Sequence, residues 1–232
     1  MALIAAALLA ADFANLGGAL QVVKAAGCRR VHLDAADGHF TPEITVGQPV
    51  IASIRKATDL ELDVHLLVEE PERYVADFAR VGANRLTVHP ESTSHLYRTI
   101  KMIQRSGAKA GVVLEAGTPL GRVSDVLAVI DSLTVLSAEP DAGEGEFIAA
   151  SVDKLEEARR LRERLGLDFE LEVEGGVDLG NSKELVQAGA DILVVGSAIF
   201  SKGDPEGELR EFLGLTSPVE AAQSQRGALS SS

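Results

Sequence analysis

The stretch DFELEVEGGVD, Asp168 to Asp178, decides the fold. Phe169, Leu171 and Val173 alternate with acidic residues, the period of an extended strand. The strand ends on a carboxylate, Glu174, followed at once by Gly175 and Gly176. A strand that delivers a charged side chain to its C-terminal end, beside glycines that expose backbone N–H groups, is the unit from which a parallel barrel builds a site.

Seven more stretches read the same way. They are residues 3–9, 30–34, 61–67, 85–89, 110–115, 132–138 and 191–196. Amphipathic segments separate them, among them PERYVADFARVGA with Pro71 near its first turn. A second is SVDKLEEARRLRERLG, with Ser151 as candidate N-cap. Near-continuous apolar strands imply burial on both faces, and alternation with helices implies a parallel sheet. Eight such units predict a single-domain α/β fold, a (β/α)8 TIM barrel over residues 1–215. A doubly wound open sheet is the alternative, weakened because no G-x-G-x-x-G follows the first strand. Residues 216–232, polar and Ser-rich, read as a disordered tail.

Composition narrows the function. Acidic residues outnumber basic ones 35 to 22, a formal net charge of −13, which opposes nucleic acid and anionic membrane as partners. A small anionic ligand remains compatible, because a few backbone amides can hold a phosphate locally. The apolar start MALIAAALLA has no basic leader and meets Asp12 too soon to span a bilayer, so it reads as a buried first strand. Cys28 is the single cysteine, in keeping with a reducing, cytoplasmic setting. A homo-oligomer is compatible with the sequence.

Active sites of such barrels form at the C-terminal strand ends. His32 and Asp34 share one face of the second strand; Asp63 and His65 lie on the third, and Glu174 ends the seventh. Two imidazoles and two carboxylates converging from His32, Asp34, His65 and Glu174 suit Zn2+, Fe2+, Mn2+ or Co2+ better than Mg2+ or copper. His39 and His89 read as supporting or structural, and His95 as a surface or capping residue. Gly175 and Gly176 after strand seven, with Gly196 and Ser197 after strand eight, read as a phosphate cradle.

Together these motifs resemble the ribulose-phosphate 3-epimerase family. The resemblance covers about Leu3 to Phe200 and rests on ADFANLG (11–17), VHLDAADGHFTPEITVG (31–47), LDVHLL (62–67), AGVVLEAGTPL (110–120), EVEGGV (172–177) and GADILVVGSAIF (189–200). It implies a metal-dependent isomerase acting on a ketose phosphate of the ribulose 5-phosphate/xylulose 5-phosphate type. Reaction would pass through a cis-enediolate by two-carboxylate acid–base catalysis. Carried over by position, His32, Asp34, His65 and Glu174 would hold one divalent metal. Asp34 and Glu174 would be the acid–base pair, with Gly143, Gly175, Gly176, Gly196 and Ser197 around the substrate's phosphate.

Several positions depart from the family pattern. Glu174 stands for an aspartate, Ala7 and Ala10 for serines, and Ala36, Leu67 and Leu136 for methionines. EPDAGEG (139–145) replaces a glycine-rich flap. A glutamate moves its carboxylate by roughly 1 Å, a displacement that can cost about 100-fold in rate. In the flap, Glu139, Asp141 and Glu144 oppose an anion: unit charges ~5 Å apart repel by roughly 3 kcal/mol at an effective dielectric near 20. Two alternatives follow, a relative acting on a different, even unphosphorylated, ketose, or an inactive barrel with a binding role. Barrels that carry D-x-K-x-x-D at this strand end rank low, since HLDAADGH has no lysine.

Overall fold

The computed structural model describes residues 2–139 and 147–215. The proposed tail 216–232 and Gly143, Asp141 and Glu144 lie outside the described residues. In chain order the elements are β1 (Leu3–Ala7), α1 (Leu16–Ala26), β2 (Arg30–Ala36), α2 (Gln48–Ala57), β3 (Glu61–Leu67), α3 (Val75–Arg80), β4 (Arg85–Val88), α4 (Leu96–Arg105) and β5 (Lys109–Leu114). There follow 3-10 turns over Leu120–Val129, then β6 (Ser132–Leu136), α5 (Ala150–Leu165), β7 (Glu170–Glu174), α6 (Ser182–Ala188), β8 (Ile192–Val195), α7 (Ser197–Phe200) and α8 (Pro205–Leu215). All eight strands pair in parallel with their sequence neighbours, and β8 returns to β1 with Ala5 opposite Val194, closing the barrel. The open-sheet alternative is thereby excluded.

Period-two alternation divides each strand between two environments. The outward set, including Val31, Leu33, Leu62, Val64, Leu66, Leu171 and Val173, packs in the main apolar core with helix residues such as Ile51, Ile100, Leu155 and Phe212. The strands are buried on both faces, as expected, although the inward set is not uniformly apolar. Inside, β1 and β8 present a small apolar wall, Ala5, Ile192 and Val194 with Ala7 against them. From β2, β3, β4 and β7 the inward positions carry buried charge, among them Arg30, Asp63, Arg85 and Glu172.

At the N-terminal end of the barrel these charges pair. Arg30 lies 2.9 Å from Glu61, 3.7 Å from Glu170 and 3.9 Å from Glu172, and Arg85 donates to Glu170. Close packing tolerates this because β5 supplies Gly111. A Cβ there would come within 2.0 Å of Thr87 Cγ2 and 2.5 Å of Ser132 Oγ.

Two helix-start expectations change. Ser151 lies inside the first turn of α5 rather than capping it: the cap position is Ala149, already in helical conformation, and the Ser151 hydroxyl is buried. Pro71 opens a separate 3-10 turn, Pro71–Arg73, and α3 begins only at Val75. His95 occupies the cap position of α4, exposed, without a side-chain capping bond.

Arg85 sets a test of the barrel base. Arg85→Met removes the nearer cation of Glu170 and is expected to cost about 2 kcal/mol in urea unfolding, below the fully buried range because Glu170 retains solvent contact and Arg30 at 3.7 Å. Adding Glu170→Gln removes the stranded charge and should recover more than half of the loss.

Candidate active site

β2 and β3 run side by side in a register that pairs Asp34 with His65 and His32 with Asp63. β7 brings Glu174 to the same height, opposite Val194 of β8. The four sequence-predicted residues therefore meet: one ligand-capable atom from each of His32, Asp34, His65 and Glu174 lies within 4.8 Å of all the others. His32 Nε2 is 3.3 Å from Asp34 Oδ1 and 3.4 Å from Glu174 Oε1. His65 Nδ1 is 3.2 Å from the same Asp34 oxygen and 3.3 Å from Glu174 Oε2. The longer arm of Glu174 thus reaches both imidazoles.

These spacings fit a cation. Tetrahedral bonds of about 2.1 Å separate neighbouring donors by about 3.4 Å. The buried Glu174 Oε2 makes no hydrogen bond, although it stands at ion-pair distance from His65. An orphaned buried oxygen aimed into an N2O2 set is what a cation would satisfy.

Electrostatics carry the same message. Burial opposes charge on His32, yet Glu174 and Asp34 raise its pKa well above the imidazole range. His65 is pushed up to about 9, against burial, by Glu174 and Asp34. Burial works against the ionised carboxylate of Asp34 too, but His32 and His65 hold it well below the usual range, and Glu174 is lowered similarly. Without a cation, the two imidazoles supply the positive charge that two buried carboxylates require.

Each imidazole uses its second nitrogen on an outer partner. His32 Nδ1 lies 3.3 Å from Asp63 Oδ2, and His65 Nε2 lies 2.8 Å from His89 Nε2. Such partners fix the tautomer and orientation of a ligating ring. His89 is fully buried, while His39 is exposed. Glu172 was missed in the sequence because it sits between apolar neighbours in a strand. It is fully buried, accepts from Thr134, and is pushed up to about 8 by burial and by Asp63.

A cavity of about 420 Å3 opens above the cluster, lined by Asp34, Glu174, Ala7, Ala10, Gly175, Gly176, Gly196 and Ser197, with Glu43 as an unforeseen member. A smaller adjoining space reaches Leu67, Leu136 and Glu139. Gly175 is required here: its φ of +103° is left-handed, and a Cβ would come 2.7 Å from the Ala138 nitrogen. Ser137 Oγ donates to the carbonyls of Glu174 and Gly175, while Ile148 N–H donates to the Ser137 carbonyl at 2.7 Å. The flanks of segment 140–146 are thereby drawn together beside the site.

Solved structures share the fold at low identity. A KGPDC from Streptococcus mutans superposes with a TM-score of 0.68 at 15% identity, covering 93% of this chain and 97% of its own. A tryptophan synthase alpha-subunit mutant from Pyrococcus furiosus gives 0.66 at 15%, covering 91% and 96%. Sequence relatives are nearer. The ribulose-phosphate 3-epimerase of Bacillus subtilis is 40% identical over 91% of this chain and 98% of its own. That of Escherichia coli K12 is 42% identical over 87% and 90%, and the chloroplastic ribulose-5-phosphate-3-epimerase of Arabidopsis thaliana 43% over 87% and 73%. The model of the ribulose-phosphate 3 epimerase family matches residues 3–200, a span that contains every strand of the barrel and all four clustered side chains. With the relatives agreeing over nearly the whole chain, the protein belongs to the ribulose-phosphate 3-epimerase family.

Proposed function

We propose that this protein is a metal-dependent isomerase that interconverts ribulose 5-phosphate and xylulose 5-phosphate. The observation that carries the reading is one cluster in which Asp34 and Glu174 share the same two imidazoles at the floor of a cavity. Inversion at the hydroxyl-bearing carbon beside a ketone requires one proton-transfer group on each face. Asp34 and Glu174 take those roles. One carboxylate removes the α-proton, leaving a planar cis-enediolate, and the other carboxyl returns a proton to the opposite face. His32, Asp34, His65 and Glu174 hold one divalent cation, of which Zn2+, Fe2+, Mn2+ and Co2+ suit the donor set. The cation supplies Lewis-acid stabilisation for the negative charge that develops on the substrate's oxygens. Gly175, Gly176, Gly196 and Ser197, on the same cavity wall, offer backbone N–H groups to the phosphate, and Gly143 is assigned to the same role.

A second reading, action on an unphosphorylated ketose, is favoured by one observation. No Lys or Arg lines the cavity among the described residues, whereas Glu43 does, and Glu139 lines the adjoining space. Hydrogen–deuterium exchange at the α-carbon across paired phosphorylated and free ketoses separates the two, and turnover of ribulose 5-phosphate supports the first.

Asp34→Asn is expected to lower epimerisation by about 10³-fold, the scale of a lost acid–base group. Glu174→Asp withdraws the carboxylate by roughly 1 Å from imidazoles it now reaches and should cost about 100-fold, read as kcat in a coupled assay.

Metal binding should be strongly pH-dependent. In the cation-free protein His65, at about 9, and His32 are protonated at neutral pH, and a cation needs their lone pairs. Binding at pH 7 should therefore release protons, and affinity should climb as pH rises toward about 9. Calorimetry in buffers of different ionisation enthalpy measures the release. For the chelator-treated protein the sign is opposite. Both imidazole pKa values are raised by folding, so the stabilisation is complete below about 6.5, and the His65 share is lost as pH climbs through about 9. Thermal unfolding with excess chelator checks this.

A further inference from the structure

We propose that His89 is a positioning residue for the four-residue centre: it fixes which nitrogen of His65 carries the proton, and Glu115 holds His89 in turn. The inference rests on the metal-binding reading above and concerns a residue outside the four.

The argument is a count of protons. His65 Nε2 and His89 Nε2 stand 2.8 Å apart, so one nitrogen donates and the other accepts. His65 presents Nδ1 to Asp34 and Glu174. If that nitrogen offers its lone pair to a cation, the neutral ring carries its proton on Nε2. His89 Nε2 must then accept, which places the His89 proton on Nδ1. The surroundings of that atom agree. His89 Nδ1 is buried and makes no hydrogen bond, and it lies 3.4 Å from Glu115 Oε1 and 3.9 Å from Glu91 Oε2. Two carboxylates at that range favour a proton on the nitrogen that faces them.

The reverse arrangement fails. His89, Glu91 and Glu115 are themselves close enough to hold a cation. A cation there would need a bare His89 Nδ1, moving the proton to Nε2. His65 Nε2 would become the acceptor, leaving a proton on Nδ1, where it blocks the first centre. With neutral rings the two clusters exclude each other. The first offers four groups, including two fully buried imidazoles; the second offers one imidazole and two part-exposed carboxylates.

His89 is built to be held. Its ring stacks on His65, centroids 4.9 Å apart at 19°, and packs against Phe40 at 4.8 Å. Ser92 Oγ donates to its carbonyl at 2.9 Å. Glu91 accepts from Thr118, and Lys154 Nζ donates to the carbonyls of Glu115, Ala116 and Thr118, fixing the turn that carries Glu115. An acceptor behind a ligating ring raises its basicity, and its loss typically weakens metal binding by about 10–100-fold.

Zinc affinity is measured by competition with a chromophoric chelator on wild type, His89→Phe and His89→Gln. His89→Phe keeps the stacked ring and loses both nitrogens; zinc binding should weaken about 10–100-fold. His89→Gln, whose amide oxygen can accept from His65, should recover part of that. Independently, 15N NMR of zinc-loaded wild type should show protons on His65 Nε2 and His89 Nδ1. Affinity for His89→Phe within about threefold of wild type, or a proton on His89 Nε2, overturns the assignment of His89 alone. Wild type that takes up no zinc overturns the four-residue centre, and this proposal with it. If His89→Phe does not fold, the wild-type NMR decides.

Discussion

A charge placed inside a closed barrel cannot turn away to solvent, and this constraint organises the protein. Each charged inward side chain of β2, β3 and β7 must find a partner within the lumen. The solution has two levels. At the base, Arg30 and Arg85 face Glu61, Glu170 and Glu172. At the mouth, His32 and His65 face Asp34 and Glu174. Asp63 joins the levels, because its carboxylate meets His32 from below while lying within the field of Arg85 and Arg30. The arginines pair with Glu61 and Glu170 at the base, while Asp63 is held ionised by His32 first and by Arg85 and Arg30 after it.

Glu172 marks where this economy is strained. It lies two residues below Glu174 on the same strand face, and burial and Asp63 favour its neutral form. A neutral Glu172 adds no negative charge beneath the centre, so the charge at the mouth is set by Asp34 and Glu174. The apolar strip of Ala5, Ile192 and Val194 opposite carries no ionisable group, which leaves the polar half of the lumen to β2 through β7.

The eight strands were legible because outward apolar periodicity is independent of what the lumen holds. The four clustered residues were legible because H-x-D and D-V-H place polar groups at strand ends, and E-G-G adds a turn signal. The base was not: Arg30, Arg85 and Glu172 sit inside runs whose apolar neighbours set the reading, and a buried pair reveals itself only when strands distant in sequence meet. His89 read as supporting, but its link to His65 depends on a register between β3 and β4 that sequence does not print. Ser151 failed as a cap because α5 already starts at Ala150, with Ala149 in helical conformation at the cap position. Glu43 escaped notice because its stretch has no helix or strand period, although it lines the cavity.

The clamp between Ser137 and Ile148, together with the Ser137 bonds to Glu174 and Gly175, has an evolutionary consequence. Backbone bonds seat both flanks of the intervening segment on the ends of β6 and β7, independently of the side chains between them. Once the ends are joined, the entropy of the joined chain changes only logarithmically with its length, about 0.6 kcal/mol per doubling. Sequence and length between the two ends can therefore change while the proton-transfer pair keeps its footing. Divergence of substrate within such a lineage would accumulate there first.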